Sequence, residues 1–212
     1  MAFSRLKIVS FIVLFSLLAW ATTSLPDAFT PGGKIHVDGI TLKQAHELFQ
    51  EFQKTDIPFG YPVDGCYARA TKMALIAEKK GIKMGKIFAE GDLRVQTTDP
   101  RFGTVNWAWH VAPILSVHQD GKDILMVFDP SLFDRPVTEE VWLEKMKGRI
   151  KEVYYTERFQ YFAKSYNNNQ EKKKLEWMPE DVLHGEEKMR EYSRLIQPKK
   201  SDVSDVLQRF AR

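Results

Sequence analysis

Three residues of this 212-residue chain, taken in order, have the makings of one reaction: Cys66, the only cysteine, then His110, then Asp129. They are the parts of a thiol hydrolase. Sulfur attacks a carbonyl carbon, imidazole carries the proton, and carboxylate orients the imidazole. Each type is common, and a lone cysteine also serves as a small buried hydrophobe. The surroundings of Cys66 sharpen the reading. Pro58 and Pro62 keep the approach extended. Ala68, Ala70, Met73, Ala74 and Ala77 then favour a helix over about 65–80, and Gly81 stops it. Asp64 fits the N-cap, which puts Cys66 in the first turn. There the helix dipole and free backbone N–H groups favour a thiolate, and the N–H of Cys66 is a donor for an oxyanion.

His110 lies in Val105-Asn106-Trp107-Ala108-Trp109-His110-Val111-Ala112, a run of aromatic and β-branched residues that reads as a strand through Val117. Asp120-Gly121 is a hairpin turn signal, and Ile124 to Asp129 is the return strand, ended by Pro130. With Asp120-Gly121 as a two-residue loop, Gln119 faces Lys122, and the same register sets Asp129 opposite Ala112. His110, two residues from Ala112, shares that face. Diagonal neighbours stand about 7–8 Å apart, a gap that His and Asp side chains bridge. The hairpin therefore predicts a His110–Asp129 pair. Pro113 argues for a sheet edge or a bulge there.

The other elements must hold these residues. Thr41-Leu42-Lys43-Gln44 is a capping-box pattern, and Ala45, Leu48, Phe49 and Phe52 recur at helical spacing, predicting a helix over about 42–54. Residues 25–39 read as a linker. Lys86–Glu90 and Leu93–Val95 are short strands broken by Gly91-Asp92, and 96–104 is a loop. Thr138 caps a helix from Glu139 to about Lys147 that Gly148 ends. Ile150–Phe162 reads as one or two aromatic-rich strands. From Gln170 the chain is charged and helical, over about 180–195 and 201–212, in the manner of a solvated amphipathic tail.

At the strings around the three residues the sequence resembles the bacterial protein-glutaminase family of secreted protein-glutamine deamidases. The carrying segments are Tyr61-Pro62-Val63-Asp64-Gly65-Cys66-Tyr67-Ala68-Arg69-Ala70, Trp107-Ala108-Trp109-His110-Val111-Ala112 and Asp129-Pro130-Ser131-Leu132-Phe133. They lie in order, 44 residues from Cys66 to His110 and 19 from His110 to Asp129, within a similarity over about 57–165. The resemblance implies an α+β, papain/transglutaminase-like fold, with the Cys66 helix packed on an antiparallel sheet. It implies Cys66 as nucleophile, His110 as base and Asp129 as third member, with a glutamine-containing protein or peptide as substrate. Trp107 and Trp109, beside His110, are candidates for the acceptor slot and equally for strand core. Thr71 stands where members often have histidine.

Arg5 and Lys7 precede an apolar run from Ile8 to Trp20, and Ala19-Trp20-Ala21 suits a signal peptidase. Residues 1–21 thus read as a signal peptide, 22–40 as a linker or mature N-terminus, 41–168 as the catalytic domain and 169–212 as a charged helical extension. The expected location is secreted or periplasmic, with no stable membrane insertion after cleavage. Without residues 1–21 the formal charge falls from +3 to +1, which gives no case for nucleic acid. His36, His46, His118 and His184 show no zinc spacing, and no glycine-rich phosphate loop is present, so no metal or cofactor is expected. Nothing in the sequence sets an oligomeric state. The rival readings are a transglutaminase, a cysteine peptidase or peptidoglycan amidase with the same triad, and a non-enzymatic binding module that keeps the fold.

Overall fold

In the computed structural model, which describes residues 28–29, 35–97, 99–166 and 174–197, one six-stranded sheet carries the site. Its main path runs β7-β6-β5-β4-β8, with β3 paired to β5 off that path. The strands are β3 (Gly39–Thr41), β4 (Gly85–Gln96), β5 (Thr104–Gln119), β6 (Lys122–Val127), β7 (Val137–Thr138) and β8 (Lys147–Glu157). Every pairing along the main path is antiparallel, and β3 joins β5 in parallel. A separate pair, β1 (Ala28–Phe29) with β2 (His36–Val37), precedes it. The α+β class with an antiparallel sheet is as expected. His36–Val37, and Gly39 and Ile40 of β3, lie in the stretch read from the sequence as linker but belong to strands. The signal peptide and the second tail helix (201–212) lie outside the described residues.

Side chains alternate across the sheet and build a core on each face. On one face Phe88, Val111, Leu115 and Phe128 meet Leu48, Phe49 and Phe52 of α1 (Leu42–Gln53) and Ala70, Met73 and Ala77 of α2 (Cys66–Glu78). On the other, Ile87, Ala112, Ile114 and Val127 pack with Trp142 of α3 (Glu139–Lys145) and with Met146. Helix α1 starts at the predicted capping box: Thr41 Oγ1 accepts from Gln44 N–H and the Gln44 side chain accepts from Thr41 N–H.

The β5–β6 hairpin has the predicted register, Gln119 opposite Lys122 and Ile114 opposite Val127. Pro113 sits where this ladder ends. Its carbonyl accepts from Phe128 N–H (2.9 Å), and β6 then leaves the sheet, so the missing proline N–H costs little. Toward its N-terminus β5 has β4 as its only strand neighbour among the described residues, and this half carries Asn106 to His110.

Four local readings differ from the structure. The Gly91-Asp92 break is a register shift inside one long strand, β4. Gly148 does not end α3 but lies in β8 at φ +121°, where a Cβ would stand 2.1 Å from the Asp92 carbonyl oxygen. Helix α2 is capped by Gly65, not Asp64. The tail is not merely solvated: α4 (Pro179–Ile196) packs on α2, burying Met189 and Tyr192 and setting Gly185 against Ala68. An apolar stripe with one small residue at the contact lets two helices approach closely, and that outweighs the high charge of this segment.

Candidate active site

The Cys66 turn is held from three directions. Gly65 adopts φ +87°, a left-handed conformation that glycine reaches without Cβ strain. The Asp64 side chain accepts from Gly65 N–H (2.6 Å) through Oδ1 and from the Tyr192 hydroxyl (2.5 Å) through Oδ2. Beneath the turn the buried guanidinium of Arg69 donates from Nη1 to the carbonyls of Tyr61 (3.0 Å) and Asp64 (2.8 Å). No side chain caps α2, so no side-chain acceptor occupies its first N–H groups. Cys66 is half-buried and free. Thr71, a turn further on, accepts from buried Lys86 Nζ (2.8 Å).

His110 and Asp129 meet as the hairpin predicts, with His110 Nε2 to Asp129 Oδ2 at 2.8 Å and both side chains buried. Asp129 lies just past the end of β6 rather than within it. It also accepts from Trp142 Nε1 (3.0 Å) and from Ser131 N–H (3.2 Å). The imidazole stacks on Trp107 (centroids 4.5 Å apart) and on Trp142 (5.6 Å), which fixes its plane. Trp107 Nε1 donates to the Pro62 carbonyl (2.9 Å), tying the histidine strand to the cysteine loop. His110 Nδ1 is buried and makes no hydrogen bond of its own, while Cys66 is near enough to act on the ring.

Burial alone would lower the His110 pKa, but the charge and hydrogen bond of Asp129, with a further contribution from Cys66, push it up to about 9. Burial opposes ionisation of Asp129, yet His110, Trp142 and Arg69 together hold it below the ordinary carboxylate range. A raised histidine pKa contributes stability that is full below its ordinary value of 6.5 and is lost as pH rises through about 9. A lowered aspartate pKa contributes stability present above 3.8 and lost as pH falls through its folded value. The expected result is a melting temperature that falls between pH 6.5 and about 9, with that slope much reduced in His110→Gln.

A cavity of about 270 Å³ opens over these groups, lined by Cys66, His110, Trp107, Trp109, Val63 and Tyr166 among others. Trp107 and Trp109 thus both line it. Sequence reasoning missed three contributors. Arg69 was visible as a charge set among core-facing alanines. Trp142 acts from the short helix 13 residues past Asp129 and Tyr192 from a helix 128 residues past Asp64, and neither gave a local signal. Among the described residues no group of three or more His, Cys, Asp and Glu side chains could hold a metal ion.

A thiol at a helix start, an imidazole at a sheet edge and a carboxylate behind it form the side-chain set of the thiol hydrolases. Comparison with known proteins narrows the class. Residues 45–146 match a family model described as glutaminase. A crystal structure of pro-protein-glutaminase is similar at 25% identity and TM-score 0.63, over 78% of this chain and 63% of that one. A mutant of pro-protein-glutaminase is similar at 29% identity and TM-score 0.53, over 57% of this chain and 49% of the other. The NMR structure of protein-glutaminase from Chryseobacterium proteolyticum is similar at 26% identity and TM-score 0.56, over 69% and 85%. The chain thus spans about half the length of one pro-protein and under two thirds of the other. No curated protein matches. The resemblance read from the local strings holds over residues 45–146, and the chain shares its fold with solved protein-glutaminases.

Proposed function

We propose that the protein is an exported cysteine amidohydrolase that converts glutamine side chains of proteins or peptides to glutamate. The Cys66 thiolate attacks the side-chain amide carbon, and the oxygen takes up the negative charge beside the free N–H groups at the start of α2. His110, charged, gives its proton to the departing nitrogen, and ammonia leaves. The thioester remains on Cys66. Water then attacks it, His110 takes the water proton, and the tetrahedral intermediate collapses to glutamate and the thiolate. Asp129 holds the imidazole through Nε2, so that Nδ1 faces the sulfur throughout. Trp109 and Trp107 flank the slot for the aliphatic stem of glutamine. Export rests on residues 1–21 as a signal peptide.

The observation that supports this reading most is the His110 ring itself: one nitrogen bonded to a buried carboxylate, the other buried and unpaired beside the only thiol. The test is to incubate the protein with a glutamine-rich, lysine-rich protein. The expected products are ammonia and a gain of about 1 Da per modified site, the mass signature of thioester hydrolysis by water. No covalent multimers should form. Crosslinked ladders without glutamate would mean transfer to lysine amines and a transglutaminase. Cleaved chains with intact glutamines would mean a peptidase. Uncleaved, unmodified substrate with an unreactive thiol would mean a binding module.

A further inference from the structure

Helix α4 lies outside the segment that matches the glutaminase family, yet it reaches the turn before Cys66. Tyr192 is its contact. The ring is buried, stacks on Tyr61 (centroids 4.5 Å, planes within 17°) and fills the space where a Gly65 side chain would otherwise stand. Its hydroxyl donates to Asp64 Oδ2 (2.5 Å). Asp64 in turn accepts from the N–H of Gly65, the residue immediately before Cys66. The Tyr67 hydroxyl stands at 3.5 Å from the same carboxylate oxygen.

We infer that Tyr192 is a positioning residue for Cys66, acting through Asp64 to fix the turn that aims the sulfur and the first N–H groups of α2. This rests on Cys66 as the nucleophile. An α2 start without a side-chain cap leaves the direction of its first turn to Gly65, Arg69 and the Asp64 side chain. Arg69 holds the carbonyl side of the Asp64–Gly65 peptide and the Asp64 side chain its N–H side, and Asp64 is itself held by Tyr192. Burial and the bond to Asp64 keep the Tyr192 proton on far above the ordinary tyrosine range, so it remains a donor at any working pH. A nucleophile displaced by about 1 Å loses on the order of a hundredfold in rate. The loss of one restraint among several should cost less.

The experiment is Tyr192→Phe in the full chain, which keeps the ring, the stack and the packing while removing the hydroxyl. Three quantities are read: melting temperature, the rate of Cys66 alkylation by iodoacetamide at pH 7, and the kinetics of ammonia release. The expected result is a kcat lowered roughly tenfold with KM within twofold, and alkylation slowed roughly fivefold as the thiol leaves its imidazole. Should Tyr192→Phe fail to fold, Asp64→Asn is read the same way, with the same slowed alkylation expected. Alkylation at the parent rate in a folded variant overturns the inference, whatever the melting temperature does. A parent protein that releases no ammonia while its alkylation still depends on Tyr192 would remove the deamidase reading and leave the positioning role intact.

Discussion

Cys66→Ala should abolish ammonia release, lowering kcat by at least about four orders of magnitude, because removing the nucleophile of a catalytic unit leaves only binding and oxyanion stabilisation. Fold should survive. Cys66 is half-buried, makes no disulfide, and loses only a sulfur atom facing the cavity. Circular dichroism and the melting curve check that. His110→Ala should cost nearly as much in kcat, since the proton has no other carrier. Asp129→Asn should cost less, because an amide still bonds the ring while no longer supporting its charge. A Cys66→Ala protein that still releases ammonia at even a hundredth of the parent rate would remove the cysteine from the chemistry altogether.

Gly65→Ala should damage both the fold and the site with a single methyl group. At φ +87° any residue with a Cβ is strained by about 1–2 kcal/mol. The new Cβ would also stand 2.5 Å from the Tyr192 ring, which is itself stacked on Tyr61 and cannot retreat without moving α4. Relief comes only by shifting the turn or the helix, and either moves Cys66. The expected outcome is a melting temperature lower by several degrees and a kcat lower by about a hundredfold, the scale set by a 1 Å misplacement. Gly81→Ala is the matched control. It too has positive φ, but no heavy atom lies within 4 Å of the added Cβ, and it stands at the far end of the helix. It should lose stability with kcat nearly intact. Equal kcat losses in the two variants would show that strain alone, and not the clash beneath Cys66, is responsible.

What the sequence disclosed, and what it withheld, follows from how far each constraint reaches along the chain. The hairpin register was legible because Asp120-Gly121 fixes the turn and alternation fixes the faces, so counting carried the argument from His110 to Asp129. The capping box of α1 was legible for the same reason, its partners being three residues apart. Asp64 was misplaced because Asp-Gly-Cys offers two geometries: the aspartate as cap, or the glycine as cap with the aspartate turned outward. Tyr192, 128 residues away, decides between them. Gly148 was misplaced likewise. A glycine after a helical stretch reads as a stop, and only the approach of the Asp92 carbonyl reveals why no side chain fits. Trp142 as the second donor to Asp129 carried no signal, since a tryptophan in a short amphipathic helix reads as core, and this one is core as well.

The order in which the chain supplies its parts gives the separation of Cys66 from Tyr192 a temporal meaning. His110 and Asp129 are brought together by a local hairpin, which closes on the microsecond scale. The thiol meets them only when α2 settles on the sheet, and its turn is fixed only when α4, near the end of the chain, arrives. Synthesis proceeds from the N-terminus, so until α4 emerges the chain holds a cysteine whose turn is not yet fixed. A thiol site assembled this way is completed only when α4, the last helix among the described residues, docks on α2.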